Sequence, residues 1–272
     1  MERKKMMLPD GWYPHNPHQA EKQFIRWNST LQSLKASPVA GIAPHAGWDF
    51  SGSMAWRIIN AVPPDCNLII IAGGHLSESG PFLVQDFKAL ETPFGDIDVD
   101  QEMLSVLCSS FDRDIYADNT VEIMLPMIKY LYPEIPVLPV RIPPRTDSIE
   151  WGREAWKQCR LQNRNPFFLG STDLSHYGYR FGYTEYGTGA AAKDKVREED
   201  RAYLNDLATL RIEESLVCAN QRKTACSGGA AAAAAAFAEA GGISKGEVAD
   251  HKYSYEVFES EGDFVGYGSL IY

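Results

Sequence analysis

Three short runs of apolar residues constrain the fold of this chain more than any other feature. None of them alternates polar with apolar residues, so each predicts a strand buried on both faces, as in a parallel sheet covered by helices. Each run also leads through small or polar residues to a histidine. The runs and their histidines are 39–43 with His45, 67–72 with His75, and 167–170 with His176. The pattern predicts an α/β fold of three layers, with a mixed, mostly parallel central sheet flanked by helices.

The rest of the chain supplies the helices and edge strands that such a sheet needs. Helices are predicted for 20–35, 53–62, 100–109, 119–132, 148–162, 189–208, 212–220 and the alanine-rich segment before Gly241. Pro126 is expected to kink the helix at 119–132. A further strand is predicted at 137–142, and 248–258 is expected to pair with 263–271 as a closing antiparallel pair. With no internal repeat and no Pro-, Gly- or Ser-rich linker, residues 1–272 are predicted to be one domain, in which 1–38 form an N-terminal arm and helix.

Charge and cysteine content restrict the partners and the compartment. The formal net charge of −10 argues against nucleic acid, because affinity for phosphates is built from clustered Lys and Arg. No apolar run approaches the roughly 18 residues of a membrane span, and the first residues lack an apolar signal core. The five cysteines form no Cys-x-x-Cys pair, which is typical of reduced thiols. A cytoplasmic protein without nucleic-acid or membrane partners is predicted.

The three histidines are candidates for one site. Strand ends in an open α/β sheet line a common crevice, so His45, His75 and His176 are expected to converge there. Cys226 precedes a predicted helix, and a helix N-terminus favours a thiolate. Two imidazoles and a thiolate suit Zn(II), Fe(II) or copper, but not a dedicated Mg²⁺ or Ca²⁺ site. Asp173 is a further ligand, a group that orients a ligating histidine, or a turn residue or helix cap.

Other titratable residues receive structural interpretations. Glu122 is predicted to lie on a solvated or salt-bridged helix face, and His251 is expected to be exposed. His15 and His18 are expected on the surface. Four cysteines are expected only to pack, namely Cys66, Cys108, Cys159 and Cys218. The chain contains no Gly-x-Ser-x-Gly elbow, no P-loop and no Gly-x-Gly-x-x-Gly after a strand, so the common serine-hydrolase, nucleotide-hydrolysis and hydride-transfer motifs are not supported.

Several motifs, taken together and in order, resemble the Memo family, which includes proteins labelled AmmeMemoRadiSam system protein B. They are APHAGWDFSG (43–52), GGHLS (73–77), TPFGDIDVD (92–100), VEIMLP (121–126), STDLSHYG (171–178), TACSGG (224–229) and GYGSLIY (266–272). The resemblance implies a fold like that of the LigB-type class III extradiol dioxygenases, which use non-haem iron. It also implies that His45, His75 and Cys226 are the metal ligands, with Asp173 and His176 as further pocket residues.

The chain departs from the family pattern at two places. Asn119 stands where the family commonly has a pocket histidine, and asparagine cannot exchange a proton near neutral pH. The usual Gly-Pro-Asn before the second histidine reads Ala72-Gly73-Gly74 here. The second change keeps the ligand and is expected to loosen its loop.

Three functions follow as expectations. The first is a metal-dependent redox enzyme, with Fe(II) as the first expected cofactor, copper or zinc as alternatives, and His176 with Asp173 as the catalytic pair. The second is a non-catalytic module that binds a small molecule or a peptide. The third is a zinc-type hydrolase, in which the metal lowers the pKa of bound water. The family resemblance adds radical-SAM and AMMECR-type proteins as expected partners.

Overall fold

The computed structural model describes residues 2–31, 34 and 37–272. Its strands are β1 Arg3–Lys4, β2 Ala40–Ala43, β3 Leu68–Gly73, β4 Leu83–Val84, β5 Ala89–Thr92, β6 Gly95–Asp98, β7 Asp112–Arg113, β8 Val137–Arg141, β9 Pro166–Ser171, β10 His176–Tyr177, β11 Glu247–Tyr253 and β12 Phe264–Ile271. Its α-helices are α1 Pro17–Asn28, α2 Ser53–Ile59, α3 Gln101–Leu107, α4 Asn119–Glu122, α5 Leu125–Leu131, α6 Thr146–Leu161, α7 Ala190–Ala208, α8 Ile212–Arg222 and α9 Gly228–Ala240. A π-helical turn at Trp48–Gly52 precedes α2.

The large sheet runs in the order β10-β12-β2-β9-β3-β8-β4-β7, and β11 also pairs with β12. Its four central strands, β2, β9, β3 and β8, are parallel. The neighbouring strands β12 and β4 run antiparallel to them. A separate small sheet joins β1, β5 and β6. The prediction of an α/β fold with a mixed central sheet is therefore confirmed.

The sheet separates two hydrophobic cores, because successive side chains of a strand point to opposite faces. Phe168 of β9 packs into the core formed with α6, α7, α8 and α9. Its neighbours Phe167 and Leu169 pack into the core on the α1, α2 and α5 side. All three side chains are fully buried. Helices on both faces of the sheet give the three layers that the apolar runs predicted.

The alanine-rich helix α9 is buried on every side, with no exposed surface from Ala230 to Ala238. Small side chains let it approach α6 so closely that a Cβ added at Gly152 would overlap the carbonyl oxygen of Ala233. The N-terminal end of this tightly packed helix is consequently held in place next to the carboxyl edge of the central strands.

Most predicted elements differ from the structure by a few residues at their boundaries, and the strand predicted for 248–258 ends at Tyr253 because a 3₁₀ turn follows at Ser254–Glu256. Two helices differ more. The helix predicted for 20–35 runs from Pro17 to Asn28 because the side chain of Asn16 caps its start, and the predicted end at Lys35 lies outside the described residues. The segment 119–132 forms two helices, α4 and α5, with Pro126 in the first turn of α5. Proline fits that position because its missing N–H is not needed there. Within the described part of the chain, no helix combines the length and apolar character that crossing a membrane requires.

Candidate metal centre

The carboxyl ends of β2, β9 and β3 lie side by side at one edge of the sheet. His45 follows β2 by two residues, and His75 follows β3 by two. Gly74, between β3 and His75, has a φ of +125°, a conformation that glycine adopts readily. Cys226 reaches the same edge from the loop before α9. The two histidines predicted from the strand ends and the cysteine predicted from the helix start therefore converge in the structure.

The three predicted metal ligands meet through their donor atoms. Nε2 of His45 lies 3.1 Å from Nε2 of His75 and 3.1 Å from Sγ of Cys226. The three donor atoms all lie within 4.8 Å of one another and could hold a metal ion. A tetrahedral metal with bonds of about 2.0–2.1 Å to nitrogen and about 2.3 Å to sulfur separates its ligand atoms by roughly 3.3–3.6 Å. The observed spacings are close to those values, so the residues fit a metal.

The backbone and ring of His45 are fixed on several sides. The side chain is completely buried, and Nδ1 lies 3.0 Å from Oγ of Ser171. Its backbone N–H donates to Oδ1 of Asp173 at 2.8 Å, while its carbonyl accepts from Nδ2 of Asn119 at 2.9 Å. Because Nδ1 is engaged elsewhere, Nε2 is the nitrogen left to face a metal.

The Cys226 sulfur lies in an environment that favours the thiolate. Its Sγ accepts a hydrogen bond from the backbone N–H of Asp173 at 3.3 Å. Burial opposes ionisation, but the charge of His45 and the contacts with His176, His45 and His75 lower the pKa of Cys226 well below its ordinary value. This shift favours the thiolate, the form in which cysteine binds a metal.

The thiolate and two carboxylates raise the pKa values of the neighbouring histidines. Burial alone would lower the pKa of His75, but Asp118 and Cys226 outweigh it and raise the pKa to about 10. Burial likewise opposes protonation of His176, and Asp173 together with Cys226 raises its pKa to about 10. The negative charge of the thiolate and the positive charge of the histidines thus favour each other, while the 3.1 Å contact between the Nε2 atoms of His45 and His75 requires a proton on only one of these two nitrogens.

A second group of potential ligands shares the cysteine. Donor atoms of Asp173, His176 and Cys226 also lie within 4.8 Å of one another. Nε2 of His176 is 3.7 Å from Oδ2 of Asp173. That nitrogen is buried and has no hydrogen-bond partner within the described part of the chain. Asp173 and His176 therefore stand immediately beside the first group, with one ring nitrogen available for a ligand.

A cavity of about 450 Å³ opens above the cluster. Its floor includes His75, Asn119, Asp173 and His176. Aromatic side chains form much of its wall, and they are Trp12, Phe50, Phe181, Phe258, Phe264 and Tyr267. The cluster is thus accessible to a small ligand through a cavity whose wall combines aromatic residues with the charged Arg180, Glu259 and Asp263.

The sequence profile of the family described as "Memo-like protein" matches residues 5–271. The chain belongs to this family. Among its relatives, a MEMO1 family protein of Thermococcus onnurineus is 26% identical over 252 residues, covering 86% of each chain. A MEMO1 family protein of Methanococcoides burtonii is 23% identical over 270 residues and covers 96% of each. The family assignment made from the motifs is confirmed.

A solved structure supports the same architecture. The uncharacterized protein JW3007 from Escherichia coli K12 superposes with a TM-score of 0.51 at 11% identity, covering 85% of this Memo-like chain and 98% of that protein. At this identity the similarity shows a shared fold and carries no information on activity.

The structure brings His45, His75 and Cys226 together, whereas the prediction that Glu122 faces solvent or a salt bridge is wrong. This carboxylate is buried and accepts hydrogen bonds from the backbone N–H groups of Met7 and Leu8 and from the hydroxyl of Tyr13, each with a distance of 2.9 Å to Oε1. It therefore anchors the N-terminal arm instead of facing solvent. Its position on a helix gave no sign of this, because its partners lie more than a hundred residues away.

For the remaining histidines and cysteines, some predictions are confirmed and others are wrong. His251 is half-buried rather than exposed; burial, with Arg201 and Arg197 nearby, lowers its pKa to about 4. His18 is exposed as predicted, and His15 is half-buried. The five cysteines are free, with Cys66, Cys108 and Cys159 buried and Cys218 half-buried. The pair Gly73-Gly74 serves a geometric purpose, because a Cβ at Gly73 would overlap Thr120.

Two contacts of the cluster escaped sequence reasoning. Ser171 beside His45, and Asp118 with Oδ2 at 3.6 Å from Nδ1 of His75, are ordinary strand-end and turn residues in the sequence. The available signals were the place of Ser171 in the motif STDLSHYG and the adjacency of Asp118 to Asn119, which differs from the family pattern.

Proposed function

We propose that this protein is a non-haem metal enzyme of redox type, in which His45, His75 and Cys226 bind the metal at the floor of the aromatic cavity. The convergence of two Nε2 atoms and one Sγ within 4.8 Å carries this proposal. A metal ion placed among these three donor atoms would bind all of them at once.

The donor set ranks the metals. Two neutral imidazoles and one thiolate suit iron, copper and zinc, and exclude ions that prefer oxygen. Fe(II) is the first choice because the set resembles a two-histidine facial triad in which thiolate replaces carboxylate. The same replacement favours softer ions, so copper is the second choice and zinc the third.

His176 and Asp173 are proposed as the catalytic pair. A bound iron or copper ion supplies Lewis acidity and electron transfer. Nε2 of His176 faces Oδ2 of Asp173 at 3.7 Å and lines the cavity, so it can hold or release a proton at a ligand placed there. Asn119 cannot take that proton role and instead fixes the carbonyl of His45. The aromatic side chains of the cavity wall can stack against a bound ligand and orient it.

The cavity is proposed to take a small molecule or a short peptide segment. Radical-SAM and AMMECR-type proteins are proposed as functional partners, and the cytoplasm as the compartment. The partner proposal is supported by the family resemblance, and the compartment by the free cysteines.

The test is metal content by mass spectrometry on protein purified without oxygen. Wild type is compared with His75→Ala and Cys226→Ala, and the matched controls are His18→Ala and Cys218→Ala, which alter residues outside both ligand groups. Near-stoichiometric iron or copper, lost in the first two variants and kept in the controls, is expected. Metal-dependent O₂ uptake should accompany it.

Other outcomes separate the alternatives. Zinc lost in both ligand variants, without O₂ uptake, would replace the redox enzyme by a hydrolase. No metal in wild type even after loading would contradict a metal enzyme, and would leave a module that binds ligands through its aromatic cavity. Ligand affinity unchanged in Cys226→Ala and His45→Ala would then be expected.

A further inference from the structure

A buried network of charges extends from His75 away from the cavity. Oδ2 of Asp118 lies 3.6 Å from Nδ1 of His75 and 3.2 Å from Nη2 of Arg141. Nη1 of Arg141 lies 3.2 Å from Oδ1 of Asp114. Asp114 is completely buried, and Asp118 and Arg141 are each 8% exposed. Charges removed from water in this way persist only with close partners, so each member restricts the position of the next.

The Asp118 carboxylate is held at both oxygens. Oδ1 accepts from the backbone N–H of Thr120 at 2.9 Å, as the N-cap of α4. Thr120 in turn packs against Gly73 at the end of β3, where a Cβ would overlap it. The carboxylate is therefore fixed to the strand that leads to His75, with Oδ2 directed at that ring.

We propose that Asp118 is a positioning residue that fixes the imidazole of His75 through Nδ1, and that Arg141 and Asp114 hold the carboxylate in place. The inference rests on the proposed role of His75 as a metal ligand. A carboxylate oxygen 3.6 Å from Nδ1 favours the tautomer with a proton there and leaves Nε2 free to bind the metal. His75 needs such a support more than His45, because its side chain is 39% exposed and that of His45 is not exposed.

The test measures Zn(II) affinity by chelator competition in wild type, Asp118→Asn and Asp112→Asn. Asparagine caps a helix about as well as aspartate, so Asp118→Asn keeps the α4 cap and removes the charge that faces both His75 and Arg141. The exposed Asp112, on neighbouring β7, is the matched control. Loss of a group that orients a ligand typically weakens metal binding about 10- to 100-fold, and that loss is expected for Asp118→Asn alone.

A second readout separates positioning from general damage. In the Zn(II)-loaded protein, ¹⁵N NMR of the histidine rings is expected to show Nδ1 of His75 protonated and Nε2 bound. Asp118→Asn should shift the His75 signals and leave those of His45 unchanged, whereas a general loss of structure moves both. Asp114→Asn, which touches Arg141 but not His75, should give a smaller effect in the same direction.

Unchanged Zn(II) affinity and unchanged His75 signals in Asp118→Asn would overturn the inference. If that variant does not fold, unchanged affinity in Asp114→Asn overturns it instead. Failure of the proposed function looks different, because wild type itself would then bind no Zn(II), or Cys226→Ala would bind it as tightly as wild type does.

Discussion

The body of helix α9 and the loop before it differ in what surrounds them: the body is packed among apolar groups, and the loop lies among titratable ones. Its body, Ala230–Ala238, has no exposed surface and packs so closely that Gly152 of α6 has no room for a methyl group. Before its first turn, Cys226 lies in a cluster of imidazoles and a carboxylate. We call these two regions the alanine body and the metal edge.

The difference separates what holds the fold from what performs chemistry. The alanine body depends on volume and contains no titratable group, so changes of size should disrupt it while changes of pH should not. The metal edge depends on charge and on the identity of its donor atoms. Substitutions that preserve size but change chemistry should therefore leave the fold intact and abolish its binding.

The largest expected effect is in the alanine body. Gly152→Val places a branched side chain against the backbone of Ala233, and overpacking of this kind costs about 3 kcal/mol or more when backbone must move. Urea unfolding of the metal-free protein measures it. Lys157→Val, on the exposed face of the same helix, controls for helix propensity and should lower the free energy of unfolding by only about a few tenths of a kcal/mol. Equal costs for the two variants would contradict the comparison.

At the metal edge, Cys226→Ser should have the opposite profile. Serine is close to cysteine in size, so the free energy of unfolding of the metal-free protein should change by less than about 1 kcal/mol. Zn(II) affinity should fall by at least about 100-fold, since loss of a ligand exceeds loss of its support. Cys218→Ser provides the control in both assays. A Cys226→Ser protein that is strongly destabilised, or that binds Zn(II) as tightly as wild type, would contradict this prediction.

The pH dependence of metal binding tests whether the metal edge depends on charge. The pKa of His75 is raised to about 10, and its ring must lose a proton to bind, so affinity should rise with pH up to about pH 10. The expected slope is about tenfold per pH unit for each proton released. Chelator competition between pH 6 and 9 measures it. Cys226→Ser lacks the thiolate that raises the histidine pKa values, so its metal affinity should stop rising at a lower pH than in wild type. An unchanged pH profile would show that the thiolate does not raise these pKa values.

A change of stability with pH is expected at Asp200, a fully buried carboxylate that accepts a hydrogen bond from Ser175. Burial raises its pKa to about 7, against the hydrogen bonds from Ser175 and Tyr253. Because the folded protein keeps this proton longer than the unfolded chain, Asp200 lowers stability progressively from about pH 4 to pH 7, by at most about 1.4 kcal/mol per pH unit. Stability of Asp200→Asn relative to wild type should therefore rise over that interval. Urea midpoints at four pH values would show it, and a constant difference would contradict the assignment.

Much of the metal edge could be predicted because its signals are local. An apolar run followed by a small residue and a histidine gives both the strand and the residue that its end presents, as with His45 and His75. Cys226 was predictable because a helix of alanines has an evident start. The family motifs then joined these separate signals.

What could not be predicted depends on contacts distant in sequence. Glu122 has the local pattern of a solvated helix position, and only the path of the N-terminal arm makes it a buried anchor. Asp118 and Arg141 meet because β8 lies beside β3, an arrangement that no local pattern specifies. The closeness of α9 to α6 likewise follows from Gly152, whose importance appears only when Ala233 is opposite.

X-ray absorption at the zinc edge of the Zn(II)-loaded protein tests the central claim most directly. One sulfur at about 2.3 Å and two imidazole nitrogens at about 2.0–2.1 Å are predicted in wild type. Cys226→Ser should lose the sulfur shell and His75→Ala one imidazole, with no change in Cys218→Ser. A wild-type spectrum without sulfur would contradict the assignment of Cys226, and with it the proposed metal centre.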